Sequence, residues 1–311
     1  MQAEWRSSLP KVVLIEDEAL RDGLQNEARV FSVDEKLALI SAIADAGVRR
    51  IQVGSFVHPK WVPQMANTDE VFSRLPPREG VTYSALVLNR TGLDRAANAG
   101  VKHLSISVSA SETHSRKNAN KSVSDALADI RPTIEQAFAA GIAVRAGIQS
   151  ALGCGYEGRI PLDRVLAIAR QYGEIGVHEI NIADTAGLAN PRLVFEAVNA
   201  IRDAVPADTK LSLHLHDTRG LGLANMYAGL LAGVTTFDAA VGGLGGCPFI
   251  PAASGNISTE DAAFALQEMG VETGIDWTKL CKIAKSFEQM LGRRLPSRMA
   301  HLSEAAQVAL E

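Results

Sequence analysis

Aromatic residues are scarce in this chain, 5% of 311 positions, and cysteines number only three. A core built on stacked rings, as in aromatic-rich β-sandwiches, is disfavoured, and so is a disulfide scaffold. Cys154, Cys247 and Cys281 show no metal-type spacing and read as free thiols in a reducing, cytoplasmic setting. Basic excess is missing too. The 31 Lys+Arg stand against 35 Asp+Glu, a net charge of −4, which excludes a general nucleic-acid binder. No uninterrupted apolar run reaches the roughly 18 residues of a membrane span, so no membrane insertion is expected. Met1 to Pro10 hold no apolar stretch, so no signal peptide is expected either. Low-complexity linkers are absent.

What is present is a rhythm. Hydrophobic residues make up 47% and charged residues 21%, ordinary for a soluble globular chain, and Ala, Gly, Val, Leu and Ile dominate. Short β-branched runs occur at Val12–Ile15, Arg50–Val53, Val81–Leu86, His103–Val108, Ala143–Gln149, Glu179–Ile182, Lys210–Leu215 and Thr236–Val241. Between them lie stretches of helical period. The clearest begins at Ser32, where Ser32 and Glu35 form a capping box. Leu37, Ile40 and Ala44 then repeat at helical spacing, and Gly47 stops the helix. A Gly-Val or Gly-Ile step recurs at Gly47, Gly100, Gly141, Gly176 and Gly233, each just before a new strand.

Eight strands alternating with helices predict an α/β fold, a (β/α)8 TIM barrel. The alternative is an open doubly wound sheet. That fold usually carries a Gly-rich phosphate turn after its first strand, where this chain has Arg21-Asp22-Gly23-Leu24. The barrel is expected over about 10–273, with extra C-terminal helices over about 274–311, in a single catalytic domain.

Chemistry in such barrels sits at the C-terminal strand ends, and unusual polar residues fall there. Asp17, Arg21, Asp22, Gln25 and Asn26 follow the first strand, and Gln52 and Ser55 the second. Ser150 and Cys154 follow the fifth, Asp184 and Thr185 the sixth, and His214, His216 and Asp217 the seventh. After the eighth come Gly242-Gly243-Leu244-Gly245-Gly246-Cys247 and Asn256. Residues two apart on a strand share a face, so His214 and His216 can meet one ion; alone, such a pair could equally be hydrogen-bonded strand-end histidines. Asp22 and Asn256 at other strand ends could complete a set of nitrogen and oxygen ligands suited to Mg²⁺ or Mn²⁺. Arg21 offers fixed donors to a developing oxyanion, or forms a structural ion pair. Cys247 follows a glycine run that lets the backbone approach a ligand, and its thiol is either a proton donor or a small buried residue. Asp184 and Thr185 either support a metal site or a substrate carbonyl, or cap the next helix. His58, His103, His114, His178 and His301 read as surface or packing residues.

Taken together, these motifs resemble 3-hydroxy-3-methylglutaryl-CoA lyases. Arg21-Asp22-Gly23-Leu24-Gln25-Asn26-Glu27, Ser55-Phe56-Val57, Pro59-Lys60-Trp61-Val62-Pro63-Gln64-Met65, Ala151-Leu152-Gly153-Cys154, His214-x-His216-Asp217-Thr218 and Gly243-Leu244-Gly245-Gly246-Cys247-Pro248 carry the resemblance. It runs from about residue 10 to 295. The wider group is the DRE-TIM metallolyases, which include Claisen-type synthases and aldolases.

The resemblance implies a divalent-metal carbon–carbon lyase acting on an acyl-CoA thioester, in a homodimer. Its metal ligands fall on Asp22, His214, His216 and Asn256. Its catalytic arginine falls on Arg21, its loop cysteine on Cys247 and its active-site aspartate on Asp184, with His214 moving the hydroxyl proton. Gln25, Asn26, Gln52, Thr185 and Arg219 are expected to contact substrate. A Claisen-type synthase would normally carry further C-terminal domains and lack the Gly-Gly-Cys loop. The chain departs from the pattern at Asp17 and Gln52, where the family has Glu, at Arg219, where it has Tyr, and at Ala28, where it has a basic residue. If Gln52 and Arg219 both face the site, its charge is more positive by two, and a substrate other than hydroxymethylglutaryl-CoA, with an extra or displaced anionic group, is expected.

Overall fold

The computed structural model describes residues 9–246 and 255–302. The β-branched runs form parallel strands β1 (Leu14–Asp17), β2 (Arg50–Ser55), β3 (Thr82–Val87), β4 (His103–Ser109), β5 (Ala143–Gln149), β6 (Glu179–Asp184), β7 (Lys210–Leu215) and β8 (Thr236–Ala239). They pair in chain order and close into a barrel. The closing register sets Leu14 against Thr236 and Asp17 against Ala239. Asp17 fastens this seam. Its carboxylate accepts from Val241 N at 2.9 Å and Thr259 Oγ1 at 2.6 Å, so it braces the barrel closure instead of joining the polar mouth.

Helices fill the crossovers: α1 (Val33–Asp45), α2 (Thr68–Arg74), α3 (Arg90–Asn98), α4 (Glu112–Ala119), α5 (Val123–Ala139), α6 (Leu162–Ile175), α7 (Pro191–Ala204) and α8 (Gly222–Leu231). Helices α9 (Thr259–Glu268) and α10 (Trp277–Leu291) follow the last strand. The architecture is therefore a (β/α)8 barrel with added C-terminal helices. The capping box at α1 forms as expected, with both the Ser32 and Glu35 bonds made. Gly47 takes φ +96°, and a Cβ there would meet Gly274 O at 2.0 Å, so glycine is required twice over. The buried stripe of α1 differs from the expected one: Lys36 is buried and Leu37 only half-buried. The Lys36 ammonium donates to Gln64 O at 2.5 Å and Asn67 Oδ1 at 2.6 Å, and burial pushes its pKa down to about 8.

Helix α10 meets the segment leading into α1, where the ring centroids of Phe31 and Phe287 are 6.3 Å apart. Beyond it the chain turns back to α9. Asp261 accepts from Ser297 Oγ at 2.9 Å, Arg298 N at 2.8 Å and Met299 N at 2.9 Å. Ser297 N in turn donates to Gly242 O at 3.1 Å. The C-terminal segment thus holds the start of the glycine run. Among the described residues no helix is long and apolar enough to cross a membrane.

Candidate active site

Strand β1 runs into a single π-helical turn, Ala19–Gly23, which carries Arg21 and Asp22 over the barrel mouth. Such turns are rare and concentrate at functional sites. The Arg21 guanidinium has three acceptors. NH1 donates to Asp22 Oδ1 at 2.6 Å. NH2 donates to Glu18 Oε2, and Nε donates to Gln52 Oε1. Burial would lower the pKa of Arg21, but the carboxylates of Glu18 and Asp22 outweigh it and raise it.

The two histidines of β7 meet as their spacing requires. Nε2 of His214 lies 3.0 Å from Nε2 of His216, with both residues buried. The other nitrogen of His214, Nδ1, stands 3.2 Å from Asp238 Oδ2. That carboxylate attracts the ring proton to Nδ1 and leaves an Nε2 lone pair facing His216, the arrangement that orients a metal-binding imidazole. Asp22 Oδ2 is 3.6 Å from His216 Nε2 and accepts from Asn256 Nδ2 at 2.8 Å. Asn256 pairs through its backbone with His216. Its side-chain oxygen, Oδ1, is buried without a hydrogen-bond partner, and so is His216 Nδ1. Burial would raise the pKa of Asp22; the Arg21 guanidinium and the His216 contact hold it well below the usual carboxylate range.

Beneath this cluster the barrel interior is ionic. Arg50 pairs with Glu16 and Glu179, and Arg145 pairs with Glu16, Glu18 and Asp238. With Arg21 and Asp22, five carboxylates face three guanidiniums, a net charge of −2 once all five are ionised and while both imidazoles are neutral. A dication balances that charge. Two facing imidazole nitrogens, a carboxylate and an unpaired amide oxygen form a mixed nitrogen–oxygen donor set of the kind divalent cations take. Ligand atoms of Asp22, His214 and His216 all lie within 4.8 Å of one another. Atoms of Glu18, His214 and Asp238 do as well, but Arg21 and Arg145 already pair those carboxylates, so they read as the ionic support of the first group. Burial lifts the Glu18 carboxyl to about 7, against the pull of Arg21.

A cavity of about 210 Å³ opens over the cluster, with Arg21, Asp22, Gln25, Thr185, His214 and His216 among its lining residues. Thr185 Oγ1 accepts from Ser150 N at 2.9 Å. One wall is apolar, formed by Val57, Val62, Leu86, Leu88, Ile106 and Ile148.

Four expected site residues stand elsewhere. Gln52 is fully buried beneath Arg21 and donates to Ser105 Oγ at 3.0 Å and Glu16 Oε1 at 3.3 Å. Arg219 lines a separate groove with Arg159 and Arg192. Asp184 points to backbone, accepting from Leu188 N at 2.8 Å and Ala189 N at 3.1 Å, and does not line the cavity. Asn26 donates to Gly246 O at 3.1 Å, tying the first motif to the glycine run. Cys247 lies outside the described residues. Glu18, Arg145 and Asp238 were not anticipated. Their signal was a charged residue placed inside or just beyond a β-branched run, on the face that alternates inward.

Comparison with known proteins follows the same lines. A family profile described as HMGL-like matches residues 12–286. A hydroxymethylglutaryl-CoA lyase of Bacillus subtilis (strain 168) is 40% identical over 289 residues, covering 93% of this chain and 96% of that protein. The 3-hydroxy-3-isohexenylglutaryl-CoA/hydroxymethylglutaryl-CoA lyase of Pseudomonas aeruginosa is 39% identical over 293 residues, covering 94% and 97%. The structure of an HMG-CoA lyase from Acinetobacter baumannii in complex with coenzyme A and 3-methylmalate superposes with a TM-score of 0.89 at 36% identity, covering 93% and 94%.

Proposed function

The chain belongs to the hydroxymethylglutaryl-CoA lyase family and is a carbon–carbon lyase, and from that premise we propose that it cleaves 3-hydroxy-3-methylglutaryl-CoA to acetyl-CoA and acetoacetate with Mg²⁺ or Mn²⁺ bound. The observation that carries this reading is the meeting of His214 Nε2, His216 Nε2 and Asp22 Oδ2 beside the unpaired Asn256 Oδ1. These four residues are the proposed ligands. Bound by these residues, a divalent cation would supply Lewis-acid polarisation that lowers the pKa of the substrate hydroxyl.

The remaining chemistry falls to the chain's own groups. The hydroxyl proton would go to His214 Nε2, with Asp22, His216 and Asn256 left to hold the cation at that step and Asp238 keeping the ring oriented through Nδ1–H; Asp184 braces the loop after β6 from behind. Arg21 keeps two N–H groups beyond its three acceptors, and these stabilise the enolate oxygen left when Cα–Cβ breaks. Cys247 returns a proton to the enolate carbon. Gln25 and Thr185 contact the acyl portion. In this reading the barrel and the C-terminal extension act as one catalytic domain, the chain pairs as a homodimer, and it works in the cytoplasm.

A second reading, a thioester with a longer apolar substituent at C3, is favoured by the cavity wall of Val57, Val62, Leu86 and Leu88. The added anionic group expected from Gln52 and Arg219 loses its basis, because neither lines the cavity. The test is an acetyl-CoA release assay across 3-hydroxyacyl-CoA thioesters with Mg²⁺ or Mn²⁺. Release from hydroxymethylglutaryl-CoA that stops in EDTA is expected. No release from any such thioester would sink the reading.

A further inference from the structure

Arg21 depends on three acceptors from three places: Asp22 on its own turn, Gln52 on β2, and Glu18 just past the end of β1. Only one of these, Glu18, is a carboxylate outside the proposed ligand set. It is wholly buried. One oxygen takes Arg21, and the other accepts from Arg145 NH2 at 2.8 Å. The first oxygen also stands 3.5 Å from His214 Nδ1. Glu18 therefore touches the enolate-facing arginine and the metal-facing histidine at once.

Resting on the reading of the site given above, we propose that Glu18 is a positioning residue: it holds Arg21 with a charge that Gln52 cannot supply, and thereby keeps one Asp22 oxygen clear of the guanidinium and turned toward the cation site. The division of the Asp22 oxygens supports this. Oδ1 accepts from Arg21 NH1 at 2.6 Å and Gln25 Nε2 at 3.1 Å, while Oδ2 faces His216 and Asn256. Without Glu18 the guanidinium has only Asp22 as an anionic partner. It then competes for the carboxylate that the cation needs, and the charge of the fully ionised interior falls from −2 to −1. Gln52 accepts from Nε through a neutral amide oxygen, so it fixes the plane of the guanidinium but carries no countercharge. The carboxylate that the family resemblance leads one to expect on β2 stands here one strand away.

The experiment moves the charge between the two strands in the full-length protein. Glu18→Gln, Gln52→Glu and the double variant are compared with wild type by calorimetric Mn²⁺ titration after chelator stripping, by thermal melting, and by kcat and KM for hydroxymethylglutaryl-CoA. Glu18→Gln is expected to weaken Mn²⁺ binding by about 10-fold and to lower kcat by about 10²–10³, with KM nearly unchanged. The double variant, which restores the interior charge, is expected to recover at least roughly tenfold of the lost kcat and most of the Mn²⁺ affinity. Glu18→Gln with wild-type Mn²⁺ affinity and kcat would overturn the proposal, and so would a folded double variant no better than Glu18→Gln. Should Glu18→Gln fail to fold, a double variant that folds and turns over still supports it, and one that folds without turnover overturns it. Wild-type protein that binds no Mn²⁺ would refute the site reading itself, and this inference with it.

Discussion

The two faces of the same strands are built on opposite principles. Outward, Ile15, Ile51, Leu104, Ile180, Leu213 and Phe237 are buried against the helices. Inward, Glu16, Arg50, Arg145, Asn181, Ser212 and Asp238 fill the barrel with charge and amide groups. Barrel interiors are more often packed with branched apolar layers. A buried ion-pair network adds little stability, because desolvation consumes most of the Coulomb gain. The outer seam therefore supplies the adhesion. The inner network fixes the orientation of His214 and Arg21.

Breaking the inner face should have the largest effect. Arg145→Met leaves Glu16, Glu18 and Asp238 without their shared cation. Urea unfolding should show a loss of about 3–5 kcal/mol. A loss under 1 kcal/mol would mean the network is not the connected unit described.

A buried carboxylate outside the barrel sharpens the contrast. Glu260 at the start of α9 is fully buried and pairs with no guanidinium among the described residues. It accepts from Gly242 N at 3.0 Å and 3.1 Å, and it faces Asp261, Ser297 and Cys281. Burial lifts its pKa from 4.5 to about 7. A raised carboxyl pKa means the folded state holds the proton more tightly than the unfolded one. That contribution is complete below about pH 4.5 and disappears as pH rises through 7. Wild-type stability should accordingly decline between pH 5 and 8 by up to roughly 3 kcal/mol from this group. Glu260→Gln should remove that part of the slope, as read in melting temperatures across the range. Parallel wild-type and variant curves would show that Glu260 is charged in both states.

On the outer face the effect should be smallest and purely structural. Ile180→Val removes one methylene from a fully buried side chain, at a cost of about 0.5–1.5 kcal/mol. The kcat and the Mn²⁺ affinity should stay at wild-type values; a drop in either would show that the two faces are coupled.

The outer face was also the legible one. Runs of β-branched residues located every strand, and the limits read for β5 and β7 coincide with those of the structure. His214, His216, Asp22 and Asn256 were identifiable because each sits at a strand end or in the loop beyond one. The inner face was missed. Arg145 and Asp238 interrupt apolar runs, and an interruption looks like noise until the alternation of faces is imposed on it. Glu18 was hidden beside Asp17, which bonds to Val241 and Thr259 instead. Gln52 and Arg219 fall outside the cavity lining for a related reason. Proximity to a strand end gives position but not direction, and direction places Gln52 below Arg21 and Arg219 in another groove. In α1 the expected Ile40 and Ala44 are buried, and only the first position differs, with Lys36 taking the inner place instead of Leu37. Lys36 takes an inner position because Gln64 O and Asn67 satisfy its ammonium.

The seam between β1 and β8 has a kinetic consequence. Leu14 pairs with Thr236, so the first strand made on the ribosome must wait for the last. At synthesis rates of about 5–20 residues per second, that wait is roughly 10–45 s. Throughout it, one side of β1 is an unpaired edge, open to annealing with other nascent chains. Crowded translation of this protein should thus be limited less by the strength of its finished core than by how β1 is sheltered until Asp17 can reach Thr259.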